Sequence, residues 1–227
     1  MDERGTISRR ERKKRATRQQ IARTAVRLFL ERGFEDVSVA EIAEAADVSK
    51  VTVFNYFPSK ADMAFELAET ADPASAVRNR APGELPLDVI RDYYLGALRR
   101  RAEWTCLHDG VDRFARMLWA SPALLSAAAR RQREAELALA VELARAVGET
   151  PWEIDPFTDM DHSRPPEAIG HRVVASMIGG AIDQLISANA ARMLAGQTAD
   201  EAEPAALADA ELAFELLSTG VARYGAG

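Results

Sequence analysis

The chain has a single cysteine, Cys106, in 227 residues. No internal disulfide can form, which agrees with a reducing compartment and gives the expectation of a cytoplasmic protein. Glycine and proline are not enriched, at 13 and 10 residues. No run of about 18 or more uncharged apolar residues occurs, so no membrane span or membrane partner is expected. The first residues are charged but are not followed by an apolar h-region, which argues against a secretory signal. Strand-like alternation and internal repeats are both missing. So are G-x-S-x-G, a Walker loop and G-x-G-x-x-G. Cys106 and His108 are close in sequence, with His162 and His171 far away, but Cys-x-His lacks the paired ligand spacing of zinc sites. Neither catalysis, a metal nor a cofactor is expected.

What is present is helical. At 48% hydrophobic the chain can bury a real core in one or two domains. Its net charge is −6, which by itself argues against nucleic acid. The distribution resolves that conflict. Residues 1–60 hold thirteen Lys/Arg against nine Asp/Glu, and residues 4–27 hold ten against Glu11 alone. Charges are screened over a Debye length of about 8 Å at physiological salt, so an acidic remainder need not cancel a distant basic end.

The most informative stretch is Ser38 to Lys60. Ser38 with Glu41 is a capping box, so a helix starts there, and Ile42, Ala43 and Ala46 share its inner face. Asp47-Val48-Ser49 is a break, with Ser49 the N-cap of the next helix. In that helix Val53 and Phe57 lie four apart and face inward. Lys50, Val51, Thr52, Phe54, Asn55 and Tyr56 are left wholly or partly outward. Pro58 ends the helix, and Ser59 with Asp62 starts another. Two short helices with an outward-facing second one form a helix-turn-helix that reads a DNA major groove. Ahead of it, a first helix from about Arg15 to Arg32 buries Ile21, Ala25, Leu28 and Phe29 and stops at Gly33. Residues 1–14 read as a basic flexible arm: either a solvated tail, or an arm following the phosphate backbone or entering the minor groove.

This segment resembles the DNA-binding domain of the TetR (tetracycline repressor) family. The resemblance is carried by Gly33-Phe34, the Val39–Ala46 helix, Val48-Ser49-Lys50, Thr52 and Phe54-Asn55-Tyr56-Phe57-Pro58-Ser59-Lys60. It covers roughly residues 15–65, about a quarter of the chain. Phe54 departs from it, since many members carry Tyr there. The expected contacts follow from residue chemistry and from these matched positions. Lys50, Lys60 and the Tyr56 hydroxyl go to phosphates, helped by Ser38 and Ser49. Thr52 and Asn55 go to base edges, and Val51 and Phe54 to thymine methyls.

Beyond residue 62 the pattern alternates long helices with proline-marked breaks at Asp72-Pro73 and Ala81-Pro82-Gly83. Helices are predicted from about Asp62 to Thr70, Leu87 to Trp104, Leu107 to Trp119, Ser121 to Val147, Glu167 to Leu194 and Glu203 to Tyr224, with a loop over 149–166. The expected fold is all-α. Residues 15–62 form a three-helix helix-turn-helix domain. Residues 63–227 form a larger helical domain, which the resemblance makes effector-binding and dimerising.

Candidate effector-facing residues are Tyr93, Tyr94, Trp104, Phe114, Met117 and Trp119, with His108, His171 and Asp183 as polar groups on apolar helices; an aromatic stripe at helical spacing is also what a plain core looks like. Ala175, Gly179 and Gly180 put small residues in an apolar helix, where each Gly costs about 1 kcal/mol relative to Ala. They permit close backbone approach, either inside the subunit or across a homodimer. The resemblance implies a four-helix dimer bundle built from the last two long helices. It also implies a repressor released from a palindromic operator on double-stranded DNA by a small hydrophobic or amphipathic effector. An architectural or activating DNA binder without an effector is the other reading.

Overall fold

The computed structural model describes residues 9–149 and 169–220. Nearly all of the loop expected over 149–166, the outer part of the basic arm and the expected end of the last helix lie outside the described residues. Among the described residues every regular element is helical. They divide into two compact units: Met1–Ala68 with Arg113–Ala127, and Glu69–Asp112 with Ala128–Gly227.

The first unit starts with α1 (Arg9–Arg32). This helix begins at Arg9 rather than Arg15, so residues 9–14 of the expected arm are helical here. It ends at Gly33, whose φ of 93° puts it in the left-handed region that favours glycine, and the Gly33 N–H donates to the Phe29 carbonyl at 2.9 Å. Helix α2 (Val39–Ala45) opens on the expected capping box: Glu41 N–H donates to Ser38 Oγ, and Ser38 N–H donates to Glu41 Oε2 at 2.8 Å. Asp47 turns the chain at φ 53°, a conformation short polar side chains tolerate. Helix α3 (Lys50–Tyr56) is capped by Ser49, and α4 (Lys60–Phe65) by Ser59. Helix α4 ends near Phe65, short of the expected Thr70. The core joins Ile21, Ala25, Leu28 and Phe29 of α1 to Ile42, Val53, Phe57 and Met63.

Residues 113–127 also belong to this unit, although the sequence placed them in the larger domain. They form most of α7 (Val111–Ala120) and the first turns of α8 (Pro122–Ala146). Met117, Leu124 and Ala127 enter the same core. Arg113 donates to the Leu30 carbonyl at 3.1 Å, and Ser121 Oγ donates to Glu35 at 2.6 Å. The sequence shows the amphipathic period of α7 but not which core that face joins.

The second unit contains α5 (Pro73–Arg78), α6 (Pro86–Arg99), a 3₁₀ turn at Glu103–Thr105, the rest of α8, α9 (Ile169–Leu194) and α10 (Ala199–Thr219). Asp72-Pro73 is a start and not only a break: Asp72 Oδ1 accepts from Ser75 N–H at 2.9 Å, and Pro73 occupies the first helical position. Likewise α10 begins at Ala199 rather than Glu203, behind a capping box of Thr198 and Glu201. The core is built by Ile90, Tyr94, Leu98, Leu107, Leu139, Ile178, Ile182 and Phe214. Buried Glu142 accepts from Arg78 at 3.0 Å and Arg145 at 2.7 Å, so its charge is paired. Helix α9 is long and apolar enough to cross a membrane. It also places Ala175, Ile178, Ile182, Leu185 and Met193 in this core, and it carries Arg172, Asp183 and Arg192 along its length. It is therefore read as a core helix.

Candidate nucleic-acid interface

Helix α3 has two sides. Val53 is fully buried on the inner one, as is Phe57 just beyond its end. Together they anchor the rod to α1 and α2. On the outer side Lys50 and Asn55 are exposed, and Val51 and Phe54 are 68% and 54% exposed. Two large apolar side chains facing water next to an amide and an ammonium have no role in packing this unit. A groove surface with methyl groups and base edges would use all four.

The hydroxyls have local work. Ser49 Oγ accepts from Thr52 N–H at 3.0 Å and lies 2.8 Å from Thr52 Oγ1. Ser38 Oγ is 2.7 Å from Glu41 Oε2. Both serines remain exposed, but their first role is capping. Thr52 and Tyr56 are half-buried, and the Tyr56 ring packs against the core.

Lys60 differs from expectation. Its Nζ donates to the Phe34 carbonyl at 2.7 Å and the Val37 carbonyl at 3.0 Å. It also sits 4.1 Å from the centre of the Phe34 ring. The ammonium closes the end of α1 and the approach to α2, and the expected phosphate contact would compete with these two bonds. Its partners lie 23 and 26 residues away, beyond any local pattern.

Two residues missed in the sequence fix the rod in place. Arg18 Nε and Nη2 donate to the Glu66 carboxylate at 2.5 and 2.7 Å, and its Nη1 donates to the Tyr56 carbonyl at 2.9 Å. The guanidinium also lies 4.7 Å from the centre of the Phe57 ring. Hydrogen bonding to Glu66 raises its pKa above the ordinary arginine value, so it stays charged. Gln20 Nε2 donates to the Ala46 carbonyl at 2.9 Å, where α2 ends. Both ties bridge distant positions, so no short motif announces them.

The nine effector candidates are divided between the two units. Tyr93, Tyr94 and Trp104 gather in the second: Tyr93 stacks on Trp104 at 5.6 Å, and Tyr94 meets the same indole edge-on at 5.5 Å. Phe114 and Met117 belong to the first unit's core, with Phe114 edge-on to Phe65 at 6.0 Å, and Trp119 is exposed. His108 is half-buried beside the Asp109 carbonyl at 3.2 Å. His171 lies 3.4 Å from Glu149. Asp183 is exposed, though desolvation and the nearby Glu136 charge raise its pKa. In the aromatic cluster, Tyr94 Oη and Trp104 Nε1 are buried with no hydrogen-bond partner among the described residues. Burial pushes the Tyr94 pKa up, so its hydroxyl keeps its proton.

The small-residue stripe of α9 also divides. Ala175 is in the core of its own unit. A Cβ on Gly179 would meet the Glu136 side chain at 2.7 Å, and the Gly179 carbonyl accepts from Gln132 at 2.9 Å. Both positions serve packing within the subunit, Gly179 through the close approach of α9 to α8. Gly180 is exposed, with open space where a Cβ would stand.

Residues 21–67 match the family model of bacterial regulatory proteins, tetR family. Over 146 residues the chain is 35% identical to the transcriptional regulator TcmR of Streptomyces glaucescens, covering 61% of this chain and 64% of that protein. It is 32% identical over 87 residues to the regulator AcrR of Shigella flexneri, 36% of this chain and 40% of that one. These curated relatives are thus matched over less than two thirds of their own length. Among solved structures, NalD, the secondary repressor of the MexAB-OprM multidrug efflux pump in Pseudomonas aeruginosa, superposes with a TM-score of 0.49 at 20% identity, covering 88% of this chain and 96% of that one. The matched segment, residues 21–67, coincides with the capped helix-turn-helix and its exposed α3 face, so it is this segment of the chain that is similar to the bacterial regulatory proteins of the tetR family.

Proposed function

We propose that the protein is a ligand-responsive transcriptional regulator, a repressor that leaves a palindromic operator when a small hydrophobic or amphipathic effector binds. The observation that carries this reading is the outer face of α3, where Lys50, Val51, Phe54 and Asn55 are presented by a helix whose inner side is locked in the core. Lys50 and Tyr56 meet phosphates, with Ser38 and Ser49 near them; Thr52 and Asn55 meet base edges; Val51 and Phe54 meet thymine methyls. The first unit reads the double-stranded operator, and the second holds the effector and the dimer contact, in the cytoplasm where the chromosome is accessible.

Two observations in the second unit support the effector and the homodimer. The Tyr94 hydroxyl and Trp104 indole N–H, which have no hydrogen-bond partner among the described residues, lie in an aromatic cluster. A ligand's oxygen would satisfy groups that are costly to bury alone. For dimerisation, α9 turns Ile169, Val173, Val174 and Met177 outward at 65%, 48%, 44% and 45% exposure, with Gly180 one turn on. Such a face is covered in a dimer. Two heads about 34 Å apart then read successive major grooves. Effector and operator affinities are coupled reciprocally.

The test begins with selection of bound sequences from a random duplex library. The selected duplex should bind on the order of 10³-fold or more tightly than random DNA. Replacement Asn55→Ala should relax preference at one base position, costing about 1–3 kcal/mol there. Similar affinity for selected and random duplexes would favour the architectural reading instead. Equal loss for Asn55→Ala on both DNAs would remove Asn55 from base reading.

A further inference from the structure

The aromatic cluster of the second unit sits among polar groups that are mostly committed. Tyr93 Oη accepts from the Asp72 N–H at 3.0 Å. Thr105 Oγ1 donates to the Ala102 carbonyl at 2.8 Å and accepts from the Leu107 N–H at 3.3 Å. Buried Asn189 donates through Nδ2 to the Thr105 carbonyl at 3.0 Å, and its Oδ1 accepts from Arg192 at 3.2 Å. Tyr94 and Trp104 differ. Tyr94 is fully buried and Trp104 is 8% exposed, yet the hydroxyl of one and the indole N–H of the other have no hydrogen-bond partner among the described residues. Their rings meet edge-on at 5.5 Å, so one small molecule can reach both. A buried donor without a partner loses its hydration with nothing in return. Phe would fill the Tyr94 position without that cost, so the hydroxyl has no role in packing.

The charges around the pair limit what can bind. The ionised side chains that bear most on Tyr94 are Asp209 and Arg192, and these are bonded to each other. Neither is left to neutralise a ligand. Burial raises the Tyr94 pKa and pushes the neighbouring Cys106 thiol up to about 11, so both keep their protons at neutral pH. A carboxylate, phosphate or ammonium taken in here would lose its hydration without gaining a counter-charge. The faces of Tyr93 and Trp104, which could otherwise hold a cation, are stacked on each other at 5.6 Å. The indole N–H can only donate, whereas the phenol can donate or accept. The complement is an acceptor oxygen for Trp104 and the same or a second oxygen for Tyr94.

We propose that this cluster is the ligand site of the second unit, and that it takes an uncharged, largely apolar molecule through a carbonyl or hydroxyl oxygen bonded to Trp104 Nε1 and Tyr94 Oη. This rests on the reading of the second unit as effector-binding, and it narrows the effector to uncharged compounds.

The experiment uses the full chain, titrated by calorimetry with four probes on one skeleton: acetylnaphthalene, ethylnaphthalene, naphthoate and naphthylmethyl-trimethylammonium. The ketone should bind tightest. Tyr94→Phe should weaken the ketone about threefold to tenfold, the worth of one neutral hydrogen bond, and leave ethylnaphthalene unchanged. With no probe present, Tyr94→Phe should unfold at the same or a higher temperature than the parent, since it discards a hydroxyl that bonds nothing. A lower unfolding temperature would mean that the hydroxyl is bonded inside the protein, and overturns the proposal. So does a charged probe that binds as tightly as the ketone, a ketone affinity that Tyr94→Phe leaves unchanged, or no binding by any probe. The effector reading is tested apart, by adding each probe to the protein on its selected duplex. A ketone that binds through Tyr94 but leaves duplex affinity unchanged would sink the effector role and keep the site. A charged probe that releases the duplex would keep the effector role and overturn the chemistry assigned to this cluster.

Discussion

Lys60 shows how a residue's chemistry can be spent before any ligand arrives. Its ammonium has three protons to donate, and two go to the carbonyls of Phe34 and Val37. Replacement by Met keeps the length of the chain and the contact with the Phe34 ring but leaves two carbonyls without that donor. A loss of about 1–2 kcal/mol in chemical unfolding is expected, with the salt slope of DNA binding unchanged. A slope reduced by about 0.9 would return Lys60 to the phosphate contacts. The contrast with Asn55 is local. Asn55 is exposed on the outer face of α3, so its amide is available to a base edge.

Elements are fixed largely by their caps. In α2 the Glu41 carboxylate accepts from the Ser38 backbone N–H, the Ser38 hydroxyl and Arg32. The backbone bond is the largest of the influences that pull its pKa down to about 2. A lowered folded-state value means the cap's contribution is fully present above the unfolded glutamate value near 4.3. It is lost as pH falls through about 2. Carboxyl-resolved NMR should give Glu41 a midpoint near 2 while unpaired glutamates titrate near 4.3. A Glu41 midpoint within the ordinary range would show that the capping box is not formed in solution. The same logic explains why the cap of α10 is legible yet easily missed. Thr198 and Glu201 have the right spacing, but the apolar period that follows is broken by Pro204, which draws the expected start towards Glu203.

At the scale of the whole molecule, the outward apolar face of α9 sets the prediction. Met177→Glu places a charge in the middle of Val173, Val174 and Gly180 without entering the unit's core. In sedimentation velocity the parent should be a dimer and the variant a monomer. Affinity for a palindromic duplex should fall while binding to a single half-site persists. A parent that sediments as a monomer at micromolar concentration, or a variant that remains dimeric, removes this face from the interface.

The sequence by itself determined the helical class, the capped helix-turn-helix and the division of α3 into an inner and an outer side, because each depends on residues within one or two turns of one another. Only the tertiary structure decided that Lys60 faces inward, that Arg18 and Gln20 brace the reading helix, and that Phe114 and Met117 pack with the first unit while Tyr93, Tyr94 and Trp104 gather in the second. It also decided that Ala175 and Gly179 serve packing inside their own subunit. Those outcomes depend on which side chains meet across long sequence separations. Periodicity marks the buried face of a helix but carries no record of its neighbour.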